Sequence, residues 1–567
     1  MSRFTIPLTA VPLLAACLAA GPARAQTQKS MPAGPAQTFE QTVDRTIQSE
    51  RRLMHALQSR RPIVETYIEE LKSDEELGAV PERDFYYLGK LDMQRGIEVA
   101  SFMPVGSGIR KRLHAFTTKF LTWDEFFPRG FASRMFIDAN FNRGSYRFEY
   151  VRREFLGDVR CVVMDVQPLQ ESRKRALFKG RIWVEDRDYN VVRFNGSYGE
   201  LKRGFLHFDS WRVNAGPNLW LPAAIYTEEN DFSPGFRKKT ILRAQTRIWD
   251  YETQKEQTEA TFTNLEVDVP QGVRDESDSA EETSPVEATR LWQRQSEDNV
   301  IDRLQSAGLI SPPGEVDNVL TTVLNNLEIT NKIDVDPPIR VRVMPTTPLE
   351  SISIGHTILV SRGLIDVLPD EACLAAVLAH ELAHILLGQS TNTRFAFADR
   401  LLFDDTQTLD NVSLGRTQQE EQSADERAVA ILRNSPYKDK LSRIGLFVKI
   451  LSERANELPH LIRPLLGNGV ADGHQHLRFA SLAAVSPELQ MRNTEQIAAL
   501  PLGSRVQLDP WSNQLHLMKT RNVPLLTAKE KMPFQLTPFM LHLRREEKPD
   551  GSPAQPTNAA VAATAKP

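Results

Sequence analysis

The stretch VLAHELAHILLG, residues 377 to 388, sets two histidines and a glutamate at the spacing His380-Glu381-x-x-His384 inside an otherwise apolar run. On a helix, residues 380 and 384 lie one turn apart on one face, so both imidazoles reach a single ion at ~2.0 to 2.1 Å. Glu381 stands about 100° round the helix, beside that ion without ligating it, where a carboxylate can take a proton from a metal-bound water. An unpaired ionised glutamate among Leu378, Leu382, Ile385 and Leu386 costs several kcal/mol, and a nearby cation would offset that cost. Pro369, Asp370 and Glu371 suit the start of such a helix and Gly388 its end.

A catalytic zinc site takes three protein ligands and leaves a fourth position for water. QQEEQSADERAVAILR, residues 418 to 433, supplies a second helical pattern with Ala424, Ala428, Val429 and Leu432 towards its inner face. Glu421 and Asp425 stand one above the other on it. Taken alone, Glu420, Glu421 and Glu426 read as a solvated acidic face.

LPDEACLAAVLAHELAHILLG followed by EQSAD resembles the gluzincin metallopeptidases that include the CAAX prenyl-protein proteases, HtpX, the mitochondrial Oma protease and the periplasmic BepA-type proteases. The resemblance spans roughly residues 296 to 490, including ISIGHTILVSRGLIDVL ahead of the first helix. It implies one zinc ion per chain held by His380, His384 and Glu421, with Glu381 as the base and Asp425 as a supporting partner. Many members carry a downstream His-Pro pair with an arginine six residues after the histidine; this chain has His474-Gln475 and then Ala480. His474 is a further candidate at the site or a surface histidine. Where many members have a histidine five residues past the second zinc histidine, this chain has Gln389.

The elements that position these groups fall into an α+β order. The first 25 residues read as a secretory signal, with an apolar run from about Ile6 to Ala20 and the small-x-small end Ala23-Arg24-Ala25. Leu14-Ala15-Ala16-Cys17 offers the rival reading of a lipoprotein anchored through Cys17. Residues 38 to 268 read as a helix, with Phe39, Val43, Ile47, Met54 and Leu57 at helical spacing, followed by an antiparallel β-rich domain whose strand patterns run from about residue 140. GRIWVEDRDYNVVRF and WLPAAIY resemble the LolA-like half-barrel of lipoprotein carriers, which implies a concave sheet able to hold lipid, a lipoprotein or an unfolded segment. Fold alone does not assign that role.

Residues 269 to 292 read as a linker, since positions 271 to 290 hold six acids, two arginines and little that builds a core. A mainly helical zincin-type peptidase domain with a small sheet is expected over 293 to 490, a β-hairpin segment turning at Asp509 to Asn513 over 491 to 545, and a disordered tail over 546 to 567. Lys plus Arg number 69 and Asp plus Glu 73, so no basic surplus points to nucleic acid. Past the signal no apolar run approaches the ~18 residues of a membrane span. Cys161 and Cys373 are too few for a disulfide framework and read as small buried residues.

These features predict a periplasmic or secreted zinc endopeptidase acting on unfolded or misassembled envelope polypeptides. A carrier or chaperone for lipid, lipoprotein or unfolded chains, with an auxiliary protease site, is the alternative.

Overall fold

The computed structural model describes residues 38–92, 98–101, 131–137, 141–170, 177–198, 206–232, 240–251, 285–391, 393, 414–472, 476–503, 505–518, 524–538 and 541–545. The signal with Cys17, residues 269–284 of the linker, His474 and the tail lie outside them.

Helix α1 (Phe39–Leu57) starts at Thr38, whose side chain accepts from Gln41 N, and buries Val43, Ile47, Leu53 and Leu57. It packs on a ten-stranded antiparallel sheet made of β1 (Ile63–Asp74), β2 (Gly78–Asp92), β3 (Glu98–Ser101), β4 (Tyr146–Leu156), β5 (Val159–Pro168), β6 (Phe178–Glu185), β7 (Val191–Tyr198), β8 (His207–Gly216), β9 (Leu219–Phe232) and β10 (Thr240–Trp249). The order is β3-β2-β1-β10-β9-β8-β7-β6-β5-β4, so β1 pairs with both β2 and β10. Glu50 of α1 accepts two hydrogen bonds from buried Arg212 of β8, at 2.6 and 2.8 Å, which fixes the helix to the sheet.

Strands thus begin at residue 63, well before the pattern at about 140. Period-two alternation fails on β1 because both its faces are covered: Val64 and Ile68 join the core under α1, whereas Ile63 and Tyr67 pack towards the C-terminal half.

The C-terminal half opens with α2 (Pro285–Ser306), which begins within the stretch read as linker, followed by α3 (Glu315–Asn331). A small sheet has the order β11-β13-β12, from β11 (Arg340–Met344), β12 (Ser351–Ile354) and β13 (Thr357–Ser361), with β12 at its edge. Helices α4 (Arg362–Val367), α5 (Glu371–Leu386), α6 (Gln418–Arg433) and α7 (Leu441–Arg454) follow. Two short strands, β14 (Ala471–Asp472) and β15 (His476–Leu477), lead to α8 (Ala480–Val485). The hairpin of β16 (Val506–Leu508) and β17 (Leu515–Leu517) turns through Asn513 at φ 57°, and Asn513 Oδ1 accepts from Asp250 N of the large sheet's end.

The two halves share buried surface. Ile63, Leu88 and Trp249 form one cluster with Val300, Ile301 and Leu304 of α2. Three buried carboxylates on β1 and β2 cross the boundary onto backbone donors: Glu65 accepts from Thr347 N, Asp84 from His460 N and Leu461 N, and Glu69 from Leu536 N. Each satisfies an amide that would otherwise be buried without a partner. No helix among the described residues is long and apolar enough to cross a membrane. Cys161 and Cys373 are free and buried.

Candidate metal centre

Helix α5 is capped by Asp370, whose side chain accepts from Cys373 N, so Pro369 precedes the cap instead of standing in the first turn. It ends where Gly388 takes φ 65°, a left-handed turn that glycine adopts without Cβ strain. Nearly every side chain from Ala372 to His384 is buried, so its apolar character is that of a core helix. Helix α6 starts with a Thr417–Glu420 capping box. Glu420 is spent on that cap, whereas Glu421 turns inward, and Ala424 and Ala428 keep the α6 surface facing the core small.

The predicted ligands come together. One ligand atom from each of His380, His384 and Glu421 lies within 4.8 Å of the others, all three residues buried. His380 Nε2 and His384 Nε2 are 3.0 Å apart, and Glu421 oxygens lie 3.3 Å from the first and 3.6 Å from the second.

The outer ring nitrogens are also engaged. His380 Nδ1 stands 2.9 Å from Asp425 Oδ1, and His384 Nδ1 stands 2.6 Å from Gln389 Oε1. Gln389 Nε2 donates to Ser423 Oγ, which itself donates to the Glu420 carbonyl, so the amide presents its oxygen to His384. In the neutral form with Nδ1–H donated outward, the two rings turn bare Nε2 lone pairs towards each other and towards a carboxylate. Such a set repels itself unless a cation sits among it, and two nitrogens bound to one tetrahedral zinc at ~2.0 to 2.1 Å would be roughly 3.3 Å apart. The donors fit zinc.

Burial presses both imidazoles towards the neutral, metal-binding form. At His384 burial prevails and lowers the pKa to about 4. At His380 burial and Arg478 are outweighed by the carboxylates of Asp425 and Glu421, and the pKa is raised.

Glu381 is fully buried and wholly satisfied. Its Oε1 accepts from Ser351 Oγ at 2.7 Å and from Arg478 Nη1 at 3.1 Å, and its Oε2 accepts from Ser353 Oγ at 3.0 Å. Burial opposes its ionisation, but Arg478, the two histidines and Arg416 override that and hold the carboxyl at about 2.

Four residues at the centre were not singled out from sequence. Ser351 and Ser353 sit on the edge strand β12, and the Ser-Ile-Ser-Ile alternation was the available signal, since it places both hydroxyls on one face. Arg416 Nη2 donates to the Ser353 carbonyl at 3.0 Å and to the Gln389 carbonyl at 3.1 Å, tying β12 to the end of α5. Arg478, just before α8, binds Glu381 and Glu421 together. It follows His474 by four residues, so a search six residues on meets Ala480 instead. Gln389 does hold the second imidazole. Asp425 has a double part, since its Oδ2 accepts from Phe479 N at 2.9 Å.

Residues 352–402 match the model of Peptidase family M48. This is a metallopeptidase family, zinc-dependent in general, and the matched stretch runs from β12 through all of α5, ending before Glu421. The M48 match meets the gluzincin resemblance on its first motif, while Glu421, Asp425 and Arg478 are brought in by the fold. No curated protein matches the chain. Among solved structures, a LolA superfamily protein from Nitrosomonas europaea is similar at 12% identity and a TM-score of 0.18, over 38% of this chain and 96% of that one.

Proposed function

We propose that the protein is an exported zinc endopeptidase that cleaves unfolded or misassembled envelope polypeptides. The observation that carries the reading is the convergence of His380, His384 and Glu421 within 4.8 Å, beside the ionised carboxylate of Glu381. Export rests on the N-terminal signal pattern.

Zinc held by these three residues would act as a Lewis acid on the scissile carbonyl and on a water. Glu381 would take the proton of that water and pass it to the leaving amine. Ser351, Ser353 and Arg478 hold the carboxylate in place, and its lowered pKa keeps it in the unprotonated form. Asp425 and Gln389 keep both rings oriented with Nε2 inward.

Strand β12 is an edge, so an extended chain can add to it through backbone hydrogen bonds with little demand on side chains. Gly469 bridges Glu350 at the start of that edge, and Gly467 packs on Ile352. A substrate strand therefore lies beside this segment or displaces it.

The test is metal analysis alongside casein hydrolysis, on the wild type and Glu381→Gln. Stoichiometric zinc with cleavage in the wild type, and zinc without cleavage in the variant, is the expected result. Zinc persisting in a His380→Ala, His384→Ala double variant would remove the assignment.

A further inference from the structure

Between the outer face of the large sheet and the C-terminal segment lies a half-enclosed cavity of about 200 Å³. Its apolar wall includes Ala224 of β9, Val506 and Leu508 of β16, Met518, Pro538 and Leu541. Among the described lining residues Arg247 alone carries a charge.

Arg247 is 8% exposed, and no carboxylate lies within 4 Å of its guanidinium among the described residues. Its hydrogen-bonding neighbour is the Gln245 amide, whose oxygen, once turned towards it, accepts from Nε at 3.3 Å and Nη2 at 3.2 Å. The nearest acids are otherwise engaged. Glu65 serves Thr347 and Tyr86, and Asp366 serves Arg362 and the N–H groups of Gly503, Arg505 and Val506. Arg362 adds a second positive charge nearby, and burial lowers the Arg247 pKa to about 9. A guanidinium in a dry wall without a contact counterion is costly, and an anion in the adjoining cavity relieves that cost.

We propose that this cavity binds a small amphiphilic carboxylate, with the carboxylate on Arg247 and the alkyl tail against Ala224, Val506 and Leu508. A planar fork suits a carboxylate in two-point contact, and an apolar wall with one placed polar group is the usual make-up of a small-ligand pocket. A cavity of about 200 Å³ has room for several water-sized groups, enough for a short alkyl chain. The site lies on the face of the sheet opposite α1, and none of its lining residues belongs to the metal centre. It joins β10 to the hairpin of the other half, and an occupant would tighten that joint.

The experiment is calorimetric titration of the full-length protein with octanoate, 1-octanol and inorganic phosphate. Octanoate is expected to bind one to one, at least tenfold more tightly than either control. Arg247→Gln weakens octanoate at least tenfold, Arg247→Lys keeps the charge but loses the fork and so falls between wild type and Arg247→Gln, and Ala224→Trp abolishes binding by filling the space while leaving the arginine. Absence of octanoate binding by folded wild type, equal affinity in Arg247→Gln, or phosphate binding as tightly as octanoate would each overturn the proposal. If Arg247→Gln does not fold, Ala224→Trp decides: unchanged octanoate affinity there overturns it as well.

Discussion

Arg478 Nη1 lies 3.1 Å from Glu381 Oε1 while Nε of the same guanidinium lies 3.3 Å from Glu421 Oε2. One buried cation therefore touches both the proposed base and the proposed third ligand. Without it, two carboxylates would face each other across a dry site.

Arg478→Met is expected to lose hydrolysis and to be destabilised by about 3 to 5 kcal/mol, the cost of breaking a buried ion pair on one side. Bound zinc should recover part of that stability, since it restores a positive charge. Denaturant midpoints with and without zinc, beside casein cleavage, check this.

Glu381→Gln is nearly isosteric and can still accept from Ser351 Oγ, so zinc content should stay near wild type, while loss of the charge facing Arg478 should cost less stability than Arg478→Met because Arg478 keeps Glu421. Activity should fall by about 10² to 10⁴, the usual contribution of a positioned base. Glu421→Ala should instead lower zinc affinity, as read by competition with a chromogenic chelator.

Gln389→Ala removes the oxygen that fixes one imidazole, and Asp425→Asn removes the charge and leaves a single oxygen for two donors, His380 Nδ1 and Phe479 N. Zinc affinity is expected to drop about 10 to 100-fold in either variant, the typical effect of losing such a partner. Gln389→His, which also offers a ring acceptor, should lose less than Gln389→Ala.

Two buried carboxyls away from the metal centre predict how stability depends on pH. Burial raises Glu69 to about 8, against the Leu536 N–H and Arg243, and raises Glu350 to about 7, against the N–H groups of Leu465 and Leu466. Both pKa values lie above the ordinary 4.5, so the folded state holds more protons than the unfolded one in between. Their stabilisation is complete below about 4.5 and is lost as pH rises through about 7 and then 8, at up to about 1.4 kcal/mol per pH unit for each group. Urea midpoints from pH 5 to 8 should fall, and Glu69→Gln should flatten the fall.

Cleavage of the chain within 271 to 290 should leave the two halves associated. Trp249, Ile63 and Leu88 pack against α2, and Glu65 and Asp84 hold backbone amides across the boundary. Size-exclusion chromatography after limited proteolysis would show one peak with two polypeptides; separation into two peaks would count against a stable joint.

Helix α1 was legible because its apolar residues repeat at a helical period, and the metal helix because its long apolar run follows the start signals at Pro369, Asp370 and Glu371. His380, Glu381 and His384 were legible because their roles depend on spacing within one helix. Glu421 needed a second helix, and only the resemblance singled it out from Glu420 and Glu426. Arg478, Arg416, Ser351 and Ser353 reach the centre from segments distant in sequence, and their types alone carry no such mark. Strands β1 and β2 were hidden for a different reason: Glu65, Glu69 and Asp84 look like solvated residues until the other half of the molecule covers them.

The place of β1 between β2 and β10 in the large sheet sets an order of events in folding. Ile63 pairs with Trp249, nearly the whole length of the N-terminal half away in sequence. A chain that emerges N-terminus first can form the β1–β2 hairpin early, but that hairpin keeps an open edge until β10 arrives. Closure of this seam is a contact of high sequence separation, which slows folding and leaves the early hairpin exposed to wrong pairing. The nascent N-terminal half is thus the stage at which this molecule most needs a holding partner, and variants that weaken the β1–β10 seam should show first as poor recovery of folded protein.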